Sequence, residues 1–172
     1  MNKLTLPISD KAIRELRVGD PVLLDGVMLT GRDAAHKWMV ETWVKKTRQP
    51  SGDDLQVYEA IKPLLQGGAI YHCGPVVAGL DTKQYKFVAA GPTTSTREEP
   101  YQGDVMRHFN LKAVIGKGGM GKKTSEACAQ VRRLSPRHRW RSITHRANGD
   151  TGPWRIQARI RRARSILGNR GR

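Results

Sequence analysis

Apolar residues fall along this chain in short runs, and glycine, proline or polar breaks between them set the predicted elements. Met1 to Pro7 predicts an edge strand, and Ser9 predicts the cap of a short helix reaching Leu16. Val18-Gly19-Asp20 predicts a turn into the strand Val22-Leu23-Leu24. Asp25-Gly26 then separates that run from Val27-Met28-Leu29, and Asp-Gly between apolar runs predicts a hairpin. After Thr30 the segment opening at Arg32-Asp33-Ala34-Ala35-His36-Lys37 predicts a helix to about Lys46, with Arg32 and His36 on one face. Residues 47–66 are polar and predict a loop, with a short helix only from Val57 to Leu65. Ala69 to Cys73 predicts a buried strand closed by Gly74-Pro75, in which His72 and Cys73 take no chemical role. Residues 79–84 predict a turn into a strand from Tyr85 to Ala90. A helix from about Gln102 to Phe109, a strand from Lys112 to Ile115 and a glycine-rich turn into another helix complete the patterned part.

At 172 residues the chain is one domain's worth. It contains no run of eighteen apolar residues and no signal-peptide layout at its start. Its two cysteines, Cys73 and Cys128, give neither a disulfide framework nor metal-ligand spacing, and a reducing, cytoplasmic setting is expected. The net charge of +16 suggests a nucleic-acid binder until it is mapped. Residues 131–172 hold 13 Arg, no Lys and one acid, Asp150, so +12 of the charge lies there and only +4 in residues 1–130. Two different compositions are joined near residue 130.

Two stretches carry candidate chemistry. Gly91-Pro92-Thr93-Thr94-Ser95-Thr96-Arg97 ends one strand and places four hydroxyl residues where a helix begins. Such hydroxyls cap a first turn, and the free amides and dipole of that turn also attract an anion. Arg97 adds a planar fork able to grip a carboxylate with two bonds. The stretch is therefore either a capped helix start or a site for a small anion. Gly116-Lys117-Gly118-Gly119-Met120-Gly121-Lys122-Lys123-Thr124 approaches a phosphate loop and fails by one position, since Lys123 stands where Ser or Thr is required. Lys117 can still supply a point charge to a carboxylate, and the alternative is an ordinary turn with surface lysines.

Taken in order, Thr30 to Lys37, Gly91 to Arg97 and Val114 to Gly121 resemble the β subunit of class I fumarate hydratases and the related L(+)-tartrate dehydratase β subunit. The resemblance runs from about Leu4 to Cys128. It implies an α/β fold, a swivelling β/β/α domain covering residues 1–130 and incomplete at its C-terminal end. It also implies a partner α subunit that carries a [4Fe–4S] cluster, with the present chain closing over a C4 dicarboxylate. Carried over residue by residue, Arg32, Arg97 and Lys117 bind carboxylates, Thr94 donates a hydrogen bond to the substrate, and Thr93 abstracts a proton. His36 is the other acid/base candidate, because its ordinary pKa suits proton transfer near neutrality.

Past Cys128 the resemblance stops. Arginines fall without helical or strand period through residues 131–172, whereas the family continues with an apolar strand and a Gly/Ala-rich segment. Shifting the reading by one nucleotide from Arg132 onward permits a family-like continuation without a forced stop. The tail is thus expected to be out-of-frame translation from a frameshift near residues 128–132, not natively folded, leaving a product that is unstable or inactive. The expected function is that of a hydro-lyase subunit hydrating fumarate to (S)-malate, with tartrate dehydration to oxaloacetate as the alternative. A reading of another class is a nucleic-acid binder acting through the basic tail; no membrane partner is expected.

Overall fold

In a computed structural model of the chain, residues 2–16, 20–79, 81–82, 86–131 and 143–145 are described. The predicted turn at Val18-Gly19 and nearly all of the arginine-rich tail lie outside them. Three strands form the centre: β3 (Leu29–Thr30), β4 (Ala69–Tyr71) and β7 (Ala113–Lys117). They run parallel in the order β3-β4-β7, with Leu29 opposite Ile70 and Ile70 opposite Val114. Alternation along the strands gives the sheet two apolar faces. Leu29, Ile70 and Val114 face α2 (Asp33–Met39), α3 (Gly52–Leu65), α4 (Glu99–Phe109) and α5 (Lys122–Val131), packing on Met39, Ile61, Leu65, Met106 and Phe109. Ala69, Ala113 and Ile115 face the other way, onto Leu4, Val22 and Leu24 of a small parallel pair, β1 (Asn2–Thr5) and β2 (Val22–Asp25). Burying side chains as completely as Leu65, Ile70 and Met106 stabilises by roughly 1.5–3 kcal/mol each.

The alternation of strands and helices confirms the α/β class. The Asp25-Gly26 hairpin does not form. β2 pairs with β1 and β3 pairs with β4, both in parallel, so the chain crosses between layers at this point. Gly26 has a φ of +128°, and a Cβ there would lie 2.9 Å from Leu6 Cβ. Glycine serves a close approach and a layer change here, and the two runs flanking it never meet.

The loop expected over residues 47–56 holds only to Ser51. α3 begins at Gly52, because Ser51 and Asp54 close a capping box: the Ser51 Oγ accepts from the Asp54 amide and the Asp54 carboxylate accepts from the Ser51 amide. The helix after β3 widens into a π turn over Val40–Val44, and α1 (Asp10–Glu15) starts at the expected Ser9 cap. The strand β6 (Lys86–Ala89) forms where expected and pairs antiparallel with β5 (Val76–Ala78). One part of the tail departs from expectation. Ile143–His145 forms a strand, β8, parallel to β7 at Ile115 to Lys117. Any extended segment that satisfies the open backbone groups of β7 gains hydrogen bonds, and Ile-Thr-His is a strand-compatible triplet.

Candidate active site

Parallel strands bring their carboxyl ends to one edge of a sheet, and ligands of open α/β sheets bind there. β3 ends into Gly31-Arg32, β4 into His72-Cys73-Gly74, and β7 at Lys117. The hydroxyl-rich segment is stitched onto the same edge. Cys73 bridges Pro92, the Thr93 amide donates to the His72 carbonyl at 2.7 Å, and Thr94 bridges Lys117. The structure therefore gathers Arg32, Thr93, Thr94 and Lys117 around the ends of three strands, with Arg97 in the single 3₁₀ turn Ser95–Glu98 that leads into α4.

Arg32 is the N-cap of α2, in extended conformation, and does not share a helical face with His36. Its side chain crosses Gly74 so closely that a Cβ on that glycine would lie 2.7 Å from Arg32 Cδ. Among the described residues no hydrogen bond or ion pair engages the side chain of Arg32, Arg97 or Lys117. The hydroxyls are equally uncommitted. Thr94, at the N-cap of the 3₁₀ turn, makes no side-chain cap hydrogen bond, and the buried Ser95 Oγ has no partner. The turn therefore starts without a side-chain cap.

The glycine-rich turn behaves differently. The amides that could cradle a phosphate at the start of α5 are taken by Glu99, whose carboxylate accepts from the Gly121 amide at 2.8 Å, the Thr124 amide at 3.1 Å and the Thr124 hydroxyl at 2.7 Å. These bonds hold the Glu99 carboxyl below its ordinary range against the opposing effect of burial. An internal carboxylate fills the anion site of that helix.

His36 is held in a buried network. It is fully buried; Nδ1 lies 2.9 Å from the Arg32 carbonyl and Nε2 lies 3.1 Å from the Gln102 side-chain oxygen as placed. Burial pushes its pKa down, so the ring is neutral, and the carbonyl contact assigns its one proton to Nδ1. Nε2 is then an acceptor, and the amide of Gln102 must be turned over to present its NH₂. The same NH₂ meets His72 Nε2, 2.8 Å from the same terminal atom. His72, driven down to about 4 by burial and by His36, therefore carries its proton on Nδ1, which faces Glu98 Oε2 at 4.0 Å. The two imidazoles stand edge to face with centroids 5.2 Å apart. His36 supports the backbone of Arg32 and has no exposed atom to offer a substrate.

Glu98 and Gln102 carry no expectation from the sequence, His72 is expected to take no chemical role, and Ser95 enters only as one of the hydroxyls of the 91–97 stretch. A signal for three of them exists: positions 95, 98 and 102 continue backward the buried stripe of Val105, Met106 and Phe109, so polar residues stand on a core-facing helical side.

A [4Fe–4S] cluster held on three cysteines does not fit this chain. Cys128 is buried in the helix-side core and Cys73 beside Pro92, and no group of three His, Cys, Asp or Glu residues able to hold a metal occurs among the described residues. No helix among those residues is long and apolar enough to cross a membrane.

Residues 1–134 match the family described as fumarase C-terminus. This chain belongs to that family. Among curated relatives it is 47% identical over 124 residues to a putative fumarate hydratase class I of Geobacillus stearothermophilus, covering 72% of this chain and 21% of that protein. It is 35% identical over 131 residues to the L(+)-tartrate dehydratase subunit beta of Escherichia coli K12, covering 76% of this chain and 57% of that one. A putative L(+)-tartrate dehydratase subunit beta of Methanocaldococcus jannaschii is 34% identical over 122 residues, 71% of this chain and 54% of its own length. The chain thus spans about half the length of the tartrate dehydratase relatives and a fifth of the fumarate hydratase. Its three motif segments all lie inside the matched region.

Proposed function

We propose that the chain is the dicarboxylate-binding, β-type part of an iron–sulfur hydro-lyase that hydrates fumarate to (S)-malate. The observation that carries this reading is the meeting of Arg32, Lys117 and the Thr93-to-Arg97 segment at one sheet edge, with all three cationic side chains uncommitted among the described residues. Arg32 and Arg97 offer forked donors, Lys117 a point charge, and a C4 dicarboxylate needs two such clamps spaced apart. Holding both carboxylates fixes the central carbons, and orientation of that kind can lower a barrier by several kcal/mol.

In this reading Thr94 donates a hydrogen bond to the substrate and Thr93 removes the proton during dehydration. Thr93 is half-buried, and its amide is fixed to His72, which holds the residue in place. A neutral hydroxyl is a weak base, so its surroundings must favour the alkoxide in the transition state. The cluster belongs to a separate α-type subunit, and the departure of the hydroxyl is left to that partner. The domain swings over the partner's face as a β/β/α unit.

Tartrate is the second substrate reading, favoured by the similarity to two tartrate dehydratase β subunits and by the Gly118-to-Gly121 segment. Assembly of the chain with an α-type subunit and assay of both substrates separates the two. Turnover of neither, by a complex with its cluster loaded, refutes the hydro-lyase reading.

We further propose that residues 131–172 are read out of frame. In support, the family match ends at residue 134, a few residues into the arginine-rich stretch. Nucleic acid would meet this chain only through that charge, without sequence preference, and deletion of residues 131–172 should abolish such binding.

A further inference from the structure

Glu98 is a fully buried acid in the 3₁₀ turn directly after Arg97, at the back of the candidate site. Among the described residues neither of its carboxyl oxygens makes a hydrogen bond to another residue, and neither does His72 Nδ1, 4.0 Å away. An ionised carboxylate left without donors inside a protein is strongly unfavourable. Its neighbours come from three elements. α2 brings Arg32 and Asp33 at its start, and His36 stands behind His72; the end of β4 brings His72; its own turn brings Arg97. Burial raises the Glu98 pKa to about 7; its own backbone amide opposes that rise, Asp33 adds to it, and Arg32 and Arg97 oppose it.

The same two arginines are the carboxylate clamps of the proposed function, on which the following step rests. An anion seated on them cancels the positive potential that favours ionised Glu98, while burial and Asp33 are unchanged. We propose that Glu98 is a proton-accepting group coupled to the anion site, so that a dicarboxylate held by Arg32 and Arg97 binds together with a proton taken up from water by Glu98. By linkage, the affinity for the dianion falls as the pH rises past the midpoint of Glu98. The neutral acid then faces His72, and no ionised Glu98 stays buried behind the bound substrate.

The experiment uses the 172-residue chain labelled with ¹³C at glutamate side-chain carboxyls, titrated by NMR with and without (S)-malate; Glu98→Gln assigns the resonance. The expected midpoint lies near neutrality, rises when malate is added, and falls in Asp33→Asn, which removes the like charge. Calorimetry of malate binding at pH 7 in two buffers of different ionisation enthalpy should show proton uptake by the native chain and none by Glu98→Gln. A midpoint in the ordinary carboxylate range overturns the assignment whether or not malate binds. Binding with no proton uptake overturns the coupling. Absence of malate binding refutes the dicarboxylate reading and the coupling with it, and a near-neutral midpoint in the free chain then still stands as a property of Glu98.

Discussion

Replacing Gly116 by alanine tests the packing that sets the candidate site. Gly116 lies on β7 one residue before Lys117, and the Thr93-to-Arg97 segment passes directly over it. A Cβ at this position would stand 1.8 Å from Ser95 Oγ, 2.9 Å from His72 Nδ1 and 3.2 Å from Ser95 Cβ. Rotation of the serine hydroxyl relieves only the first of these. The imidazole is held by Gln102 and its backbone amide donates to the Ile115 carbonyl, so it cannot retreat without breaking the buried network. Overpacking of this kind costs about 1–3 kcal/mol. For a chain of this size each kcal/mol lowers the melting temperature by about 2–4 °C. Moving Ser95 also moves Thr94 relative to Lys117, and a misplacement of about 1 Å can reduce a rate by about 100-fold. Urea denaturation reads the first effect; calorimetric titration with (S)-malate reads the second. Gly74→Ala is the contrasting variant, because its Cβ meets only the flexible Arg32 side chain, at 2.7 Å. It should leave stability within about 0.5 kcal/mol while weakening malate binding. If Gly116→Ala unfolds at the native urea concentration and binds malate unchanged, the close approach is not structural and the reasoning fails.

Further outcomes follow from the charges and caps. The carboxyl of Glu98 goes from an ordinary 4.5 to about 7 in the fold, so its contribution to stability is full below 4.5 and lost as the pH rises through about 7. The interval corresponds to about 3 kcal/mol, and Glu98→Gln should therefore be more stable than the native chain at pH 8 but equal to it at pH 4.5, measured by urea midpoints. Asp54 moves the other way, held at about 2 chiefly by the Ser51 amide, with Trp38, the Ser51 hydroxyl and Arg48 adding to it. Its contribution of about 2 kcal/mol is present above 3.8 and lost as the pH falls through about 2; Asp54→Ala should lower stability by about 3 kcal/mol at pH 7 and abolish that acid dependence. In the assembled enzyme Arg97→Met should lower kcat/KM by roughly 10–100-fold, the worth of a charged hydrogen-bond pair, and an unchanged value would remove Arg97 from the clamp. DNA sequencing across codons 125 to 135, with the intact mass of the product, decides the origin of the tail: a missing or extra base restores a family C-terminus, whereas a confirmed frame refutes a sequencing error.

Much was legible from residue types alone. Apolar runs fixed β1, β4, β6 and β7 to within a residue or two, since a strand needs only its own alternation and its breakers. Ser9 announced α1. The three cationic residues and the Thr93-Thr94 pair were legible as motif members because their neighbours are specific glycines and prolines. α3 was under-read because polar residues 52–56 hid a helix that the Ser51-to-Asp54 box starts, a signal written in the sequence and missed.

Other features depended on what the chain meets in space. Asp25-Gly26 carries a hairpin signal in local chemistry, yet its strands pair with β1 and β4, because burial of Leu24 and Leu29 on different layers outweighs a two-residue turn. The phosphate-like turn spends its amides on Glu99, a residue far off in the chain. His36 reads as an acid/base residue by its ordinary pKa and becomes a buried support once Gln102 and the Arg32 carbonyl occupy both its nitrogens. The sequence by itself determined which groups exist and which strands carry them. Which of those groups remain uncommitted, and which are used internally, was decided only by tertiary structure, because hydrogen-bond satisfaction and desolvation depend on partners that one-dimensional spacing does not contain.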